Sequence, residues 1–138
     1  MTAERTLSWE YIAGIFDGEG SVFIQKQNPT GKASRYTLYA NIVNTHEKAM
    51  SEIGKQIDGK IYMERFPSGK MKYQIILSGP KAKKFLRDVL PHLIVKKKQA
   101  FLALRYPTGS VGKRLSSSDK ELRDYIYYGL KELKNTCQ

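Results

Sequence analysis

The sequence predicts an α+β fold: a four-stranded antiparallel sheet covered by helices on one face. Three observations lead there. Four short segments alternate apolar and polar residues with a period of two, and they fall into two pairs joined by turn-forming residues. A segment of helical character precedes each pair, an apolar one at 8–17 and one with an apolar stripe at 45–57. The rest of the chain, past the second pair, carries helical periodicity broken by proline and glycine.

The first helix is expected over residues 8–17, with Ser8 as its N-cap and Glu10 in its first turn. Tyr11 through Phe16 is apolar nearly all round, which predicts burial on most faces, and Gly18 and Gly20 end the helix. Residues 21–27 then alternate: Val22, Ile24 and Lys26 on one side, Ser21, Phe23, Gln25 and Gln27 on the other. A loop at Asn28-Pro29-Thr30-Gly31 leads to a second strand over 35–43, with Tyr36, Leu38, Ala40 and Ile42 inward and Arg35, Thr37, Tyr39 and Asn41 outward.

A helix over 45–57 follows, with Asn44 or Thr45 as N-cap, an apolar stripe of Met50, Ile53 and Ile57, and Asp58-Gly59 as its stop. The second hairpin spans 60–66 and 70–77 across Pro67-Ser68-Gly69. Its inward set is Ile61, Met63, Met71, Tyr73, Ile75 and Leu77, and its outward set is Tyr62, Glu64, Lys70, Lys72 and Gln74. Pro80 at N1 opens a helix to about Leu90, which Pro91 breaks; a short helix runs from Lys96 to Leu104, before Pro107 and Gly109. Ser118 through Glu121 reads as a capping box for a last helix with Leu122, Ile126, Leu130 and Leu133 on its apolar stripe.

Composition bounds the function. The 138 residues predict one domain over 1–138, and 41% hydrophobic content is enough for a packed core. No stretch approaches the ~20 apolar residues of a membrane span, and the first residues lack a secretory signal, so an intracellular protein with no membrane partner is expected. One cysteine, Cys137, excludes an intrachain disulfide and a cysteine-based zinc site. The net charge of +11 is uneven: residues 60–98 carry eleven bases against two acids, whereas residues 1–23 carry one base against four acids. Such a basic excess points to a polyanionic partner, nucleic acid first. The outward strand rows, rich in Arg, Lys, Gln, Asn and Tyr, suit base edges and phosphates, because a β-ribbon fits the major groove.

The most informative segment is Tyr11-Ile12-Ala13-Gly14-Ile15-Phe16-Asp17-Gly18-Glu19-Gly20-Ser21. Gly14 and Gly18 are four apart, on one helical stripe, and small residues at that spacing let two helices approach closely. Glu19 sits at the C-terminal end of the helix, where the macrodipole disfavours an anion, and beside Asp17. A hard divalent cation held by the carboxylate and backbone carbonyls relieves that penalty; a solvated turn acid is the alternative.

Residues Ile12 to Gly20, IAGIFDGEG, resemble the nine-residue signature of the LAGLIDADG homing endonucleases. Ala13, Gly14, Ile15, Asp17 and Gly20 fit it directly, Gly18 is tolerated in one branch, and Glu19 stands where Asp is commoner. The order helix–hairpin–helix–hairpin–helix extends the likeness to about residue 105. Lys96-Lys97-Lys98-Gln99-Ala100 resembles the basic stretch that brings a lysine to the family's active site.

The resemblance implies a homodimer, since the chain carries one motif, with Ile12, Ala13, Gly14, Phe16 and Asp17 at the interface. It implies cleavage of double-stranded DNA at a long pseudo-palindromic site by phosphodiester hydrolysis, using Mg²⁺ or another divalent ion such as Mn²⁺. The metal-binding positions implied are Glu19 and the Gly18 carbonyl. Glu19 and Lys96 are the implied catalytic residues. Lys98 is the alternative lysine and a DNA contact alongside the outward strand residues. Asn44, Thr45 or His46 occupies the place of a water-organising polar residue in the family, although an N-cap role competes. Two other functions share the same fold: an intron RNA maturase, with intron RNA as partner, and a DNA-binding regulator without catalysis.

Overall fold

The computed structural model of the chain describes residues 7–27, 35–107 and 117–136. The loop expected at Asn28–Gly31, and Gly109 and Cys137, lie outside the described residues. Helix α1 (Trp9–Glu19) runs without a linker into strand β1 (Gly20–Gln27), which pairs with β2 (Arg35–Asn44). Helix α2 (Glu47–Ile57) leads to β3 (Lys60–Arg65) and β4 (Met71–Ser78), and α3 (Gly79–Val89) follows directly. A 3-10 turn (Leu90–His92), α4 (Lys97–Ala103) and α5 (Ser117–Thr136) complete the chain. The strand order is β1-β2-β4-β3, antiparallel throughout. The helices pack on one face of this sheet, so the α+β expectation holds.

The sheet's inner face follows the predicted alternation. Val22, Ile24, Leu38, Ala40, Ile42, Tyr73, Ile75 and Leu77 are buried against Ile12, Ala13 and Phe16 of α1, Met50 and Ile53 of α2, and Ala82, Phe85, Leu86 and Val89 of α3. Phe16 meets Phe85 edge to face, with ring centroids 5.1 Å apart, which ties α1 to α3. A methyl group on Gly20 would stand 2.3 Å from the Phe16 ring, so the helix-to-strand junction has room for glycine alone.

Several expectations are corrected. Helix α1 is not buried on most faces: Ile12, Ala13 and Phe16 are fully buried, but Tyr11 and Gly14 are exposed and Ile15 is half-buried. It also reaches Glu19, two residues further than predicted. Met63, assigned to the inner face, is 68% exposed, because edge strand β3 extends past its helical cover toward the hairpin tip. Lys70 lies in the turn before β4, where its carbonyl accepts from the Phe66 N–H, and not within the strand.

The cap of α2 is neither Asn44 nor Thr45 but His46, whose Nδ1 accepts from the Ala49 N–H at 3.2 Å. The Asn44 carboxamide oxygen accepts from the His46 N–H at 2.9 Å, a local turn that shifts the helix start downstream. Ser118 falls inside the first turn of α5. Arg123 of α5 donates twice to the Pro107 carbonyl, at 3.0 and 2.8 Å, and its guanidinium lies 4.9 Å from the centre of the Tyr106 ring. Tyr106 is buried, and its hydroxyl has no hydrogen-bond partner among the described residues. Burial pushes that hydroxyl up to about 12. No described helix is long and apolar enough to cross a membrane.

Candidate functional site

The outer face of the sheet is continuous across all four strands. The register aligns Ser21, Asn41, Ile76 and Lys60 in one row, Phe23, Tyr39 and Ser78 in the next, and Val43, Gln74 and Tyr62 on the other side. Gln25 pairs with Thr37, and Glu64 with Lys72. Every sequence-predicted outer residue with a described side chain is exposed or half-buried, and the strands bring them onto one surface apart from Lys70 at the hairpin tip. Gln27 and Arg35 pair at the end of β1 and β2; their side chains lie outside the described part. Lys60, Val43, Ile76 and Ser78 also belong to this face. Continuing the period of two would have found them.

The face is partly pre-organised. Phe23 and Tyr39 stack at 5.3 Å, which resolves why an aromatic ring sits in a polar row: it packs across the strand pair. The Ser21 hydroxyl donates to the Asn41 side-chain oxygen. Glu64 bonds Lys72 at 2.9 Å, and the Lys60 ammonium lies 5.2 Å from the Tyr62 ring centre.

At the end of α1 two residues interlock. The Asp17 carboxylate accepts from the backbone N–H of Ile94 at 2.7 Å and of Lys96 at 2.9 Å. The Lys96 ammonium returns to the Asp17 carbonyl at 2.5 Å. A cation at the C-terminal end of a helix opposes the negative end of its dipole. Lys96, expected to face a reacting phosphate, is thus engaged in capping α1. Asp17, which the signature implies at a dimer interface, holds the 94–96 segment. Lys98 is exposed on α4, in the helical layer and not on the sheet face.

The next oxygens along α1 are the Gly18 carbonyl and the Glu19 carboxylate. Gly18 and Glu19 are exposed, and Glu19 has no ion-pair or hydrogen-bond partner among the described residues. Because Gly20 already belongs to β1, Glu19 stands where the helix tip meets the sheet. These donors are hard oxygens, the kind that suit Mg²⁺ or Ca²⁺, which take six or more. Among the described residues no group of three or more His, Cys, Asp or Glu gathers in one place.

The interface expectation needs revision as well. Ile12, Ala13 and Phe16 are fully buried in the chain's own core and cannot touch a partner. The open stripe of α1 is Tyr11, Gly14, Ile15 and Gly18. Apart from the helix's own backbone, no described residue lies within 4 Å of where a methyl group on Gly14 or Gly18 would be.

Solved structures share this architecture. The chain is similar to I-Vdi141I, an archaeal intron-encoded homing endonuclease complexed with DNA, with a TM-score of 0.74 at 20% identity over 91% of this chain and 82% of that one. The homing endonuclease I-CvuI, solved with its target in the presence of Ca, gives a TM-score of 0.69 at 16% identity over 91% and 80%. The fold is that of the LAGLIDADG homing endonucleases. The DNA-bound meganuclease I-SmaMI also matches, with a TM-score of 0.70 at 12% identity; there the chain spans 47% of the longer protein. No family model matches the sequence, and no curated protein matches it. In this LAGLIDADG fold the signature segment is α1 and its junction with β1.

Proposed function

We propose that the protein is a site-specific DNA endonuclease that acts as a two-fold dimer and hydrolyses phosphodiester bonds with Mg²⁺ or Mn²⁺. The observation that carries this reading is the position of Glu19: an exposed carboxylate, without a partner among the described residues, at the junction between the glycine-notched helix and the polar sheet. The DNA-bound state of the structural neighbours supports it.

The sheet face binds the duplex. Gln25, Asn41 and Gln74 offer the donors and acceptors that read base edges, while Lys60, Lys70 and Lys72 meet phosphates. Two copies joined through Tyr11, Gly14, Ile15 and Gly18 bring two helix ends together, doubling the oxygen donors to the number a hard cation needs. A pseudo-palindromic site follows from the two-fold symmetry.

Glu19 and the Gly18 carbonyl hold the cation. When bound, it supplies Lewis-acid polarisation of the phosphodiester and activation of water. Lys96 is a positioning residue, fixing the helix tip through Asp17.

Cleavage selection on a randomised duplex library with Mg²⁺ tests the reading. Wild type should enrich one pseudo-palindromic site. Glu19→Gln should bind that site with unchanged affinity and cut it about a hundredfold slower or worse. Absence of cutting by wild type, or cutting by Glu19→Gln at the wild-type rate, overturns the proposal. Tighter binding to a structured intron RNA than to any duplex at matched salt replaces it with the maturase function.

A further inference from the structure

Strand β4 accompanies β2 from Asn44 to Tyr39 and stops there, whereas β1 and β2 stay paired as far as Gln27 and Arg35. From Ile24 and Leu38 outward the four-stranded sheet has become a two-stranded ribbon. Two strands alone are marginally stable and twist more strongly than a broad sheet. The apolar core ends at the same point. Ile24 and Leu38 are buried, and the next inward pair is Lys26 and Tyr36. Beside that pair, on the outer face, stand Gln25 and Thr37.

Helix α5 meets the inner side of this ribbon with polar groups. The Tyr36 hydroxyl donates to the Asp124 carboxylate, across 88 residues of sequence. The Tyr36 and Tyr127 rings lie 5.6 Å apart, centre to centre. The Lys26 ammonium is 5.4 Å from the Tyr36 ring centre and 5.9 Å from that of Tyr127, and the Lys131 ammonium is 4.4 Å from Tyr127. Ring and cation contacts tolerate sliding; the bond from phenol to carboxylate is directional and charge-assisted. The tip of the β3–β4 hairpin has no counterpart among the described residues, since Met63 on its inner side stands in water.

We propose that Asp124 is a positioning residue for sequence specificity: by holding the Tyr36 hydroxyl it fixes the ribbon where Gln25 and Thr37 meet their base pairs, without touching DNA itself. This rests on the reading of the sheet face as a DNA surface. Successive residues of a strand point to opposite faces, and the Lys26–Tyr36 pair adjoins the Gln25–Thr37 pair, so a shift of the inner pair carries the outer pair with it. Hydrogen bonds to base edges hold only within a window of about 0.5 Å, so a ribbon free to flex reads them less sharply. Asp124 is exposed, and its bond adds little to folding. Its effect falls on which sequence is read.

The test measures affinity for duplexes carrying every single base-pair change of the site that wild type enriches, without Mg²⁺ so that nothing is cleaved. Gln25→Ala marks the base pairs read at the ribbon, and Gln74→Ala those read from β4. Tyr36→Phe keeps the ring and removes the donor; Asp124→Ala removes the acceptor. Each should lower the preference at the ribbon pairs about tenfold and leave the β4 pairs unchanged. The two together should do no more than either alone. Asp124→Asn keeps an acceptor oxygen and should restore most of the preference. Ribbon pairs read as sharply as by wild type, a loss spread evenly over the site, additive losses, or an Asp124→Asn as poor as Asp124→Ala overturns the role of Asp124 and leaves the DNA reading standing. If Asp124→Ala does not fold, Tyr36→Phe alone separates the same outcomes. A wild-type chain that prefers no duplex sequence overturns the DNA reading itself.

Discussion

Lys96 and Asp17 bond each other twice: the lysine N–H meets the aspartate carboxylate at 2.9 Å, and the lysine ammonium meets the aspartate carbonyl at 2.5 Å. The pair closes the end of α1 onto a segment 79 residues away in sequence. It makes the orientation of the neighbouring Glu19 a property of the tertiary structure and not of the helix alone.

Asp17→Ala removes the acceptor of two backbone N–H bonds and should cost about 2–3 kcal/mol, read as a lower denaturation midpoint. Lys96→Met removes the helix-end cation and should cost about 1 kcal/mol. It should also slow single-turnover cleavage about tenfold with little loss of DNA affinity. Lys98→Met should leave the midpoint unchanged. Equal losses of binding and cleavage in Lys96→Met would make it a plain phosphate contact.

Glycine inside a helix costs about 0.5–1 kcal/mol relative to alanine. No described residue requires it at Gly14 or Gly18, where an added methyl group meets open space. Gly14→Ala should therefore stabilise the single chain by that amount while weakening dimerisation, seen by thermal melts of dilute protein beside sedimentation at higher concentration. Gly20→Ala should behave in the opposite way, costing about 1–3 kcal/mol through its clash with Phe16.

The exposed Glu64–Lys72 pair should contribute under about 1 kcal/mol to folding. Its effect should appear in binding. Lys72→Gln should reduce the slope of log affinity against log salt by about one unit, whereas Glu64→Gln should strengthen binding by freeing the lysine for phosphate. Titration of the cognate duplex at several salt concentrations reads both.

Burial holds the Tyr106 hydroxyl at about 12, above the ordinary value of 10.0. The folded chain then keeps a proton that the unfolded chain gives up. The associated stability is complete below pH 10 and is lost as pH rises toward 12, by about 2–3 kcal/mol. Tyr106→Phe should remove this alkaline loss and, by deleting a buried hydroxyl that no described group satisfies, leave stability at neutral pH equal or higher. Urea midpoints between pH 8 and 11.5 would show it.

The strands were legible because their signal is local. A period of two assigns Val22, Leu38 and Ile75 to one face with no knowledge of the partner strand. Burial is not local, which is why Met63 follows the alternation and still stands in water beyond the helices. The stripe that α1 leaves open differs from the expected one for a related reason. An apolar helix shows no difference between the stripe meant for its own sheet and the stripe left open; Ile12, Ala13 and Phe16 are distinguished from Gly14 and Gly18 only once Phe85 and the sheet are in place. Lys96 was found as a basic residue near the site, but its engagement with Asp17 depends on a chain reversal that no spacing encodes. His46 took the cap of α2 because Asn44 was already occupied with the His46 N–H, a competition between neighbours that residue preferences do not resolve.

Strand β3 carries almost none of the core: five of its six residues are exposed. Its side chains answer to whatever lies against the sheet far more than to folding. Tyr62, Glu64 and the neighbouring hairpin can therefore be rewritten while the scaffold stays intact.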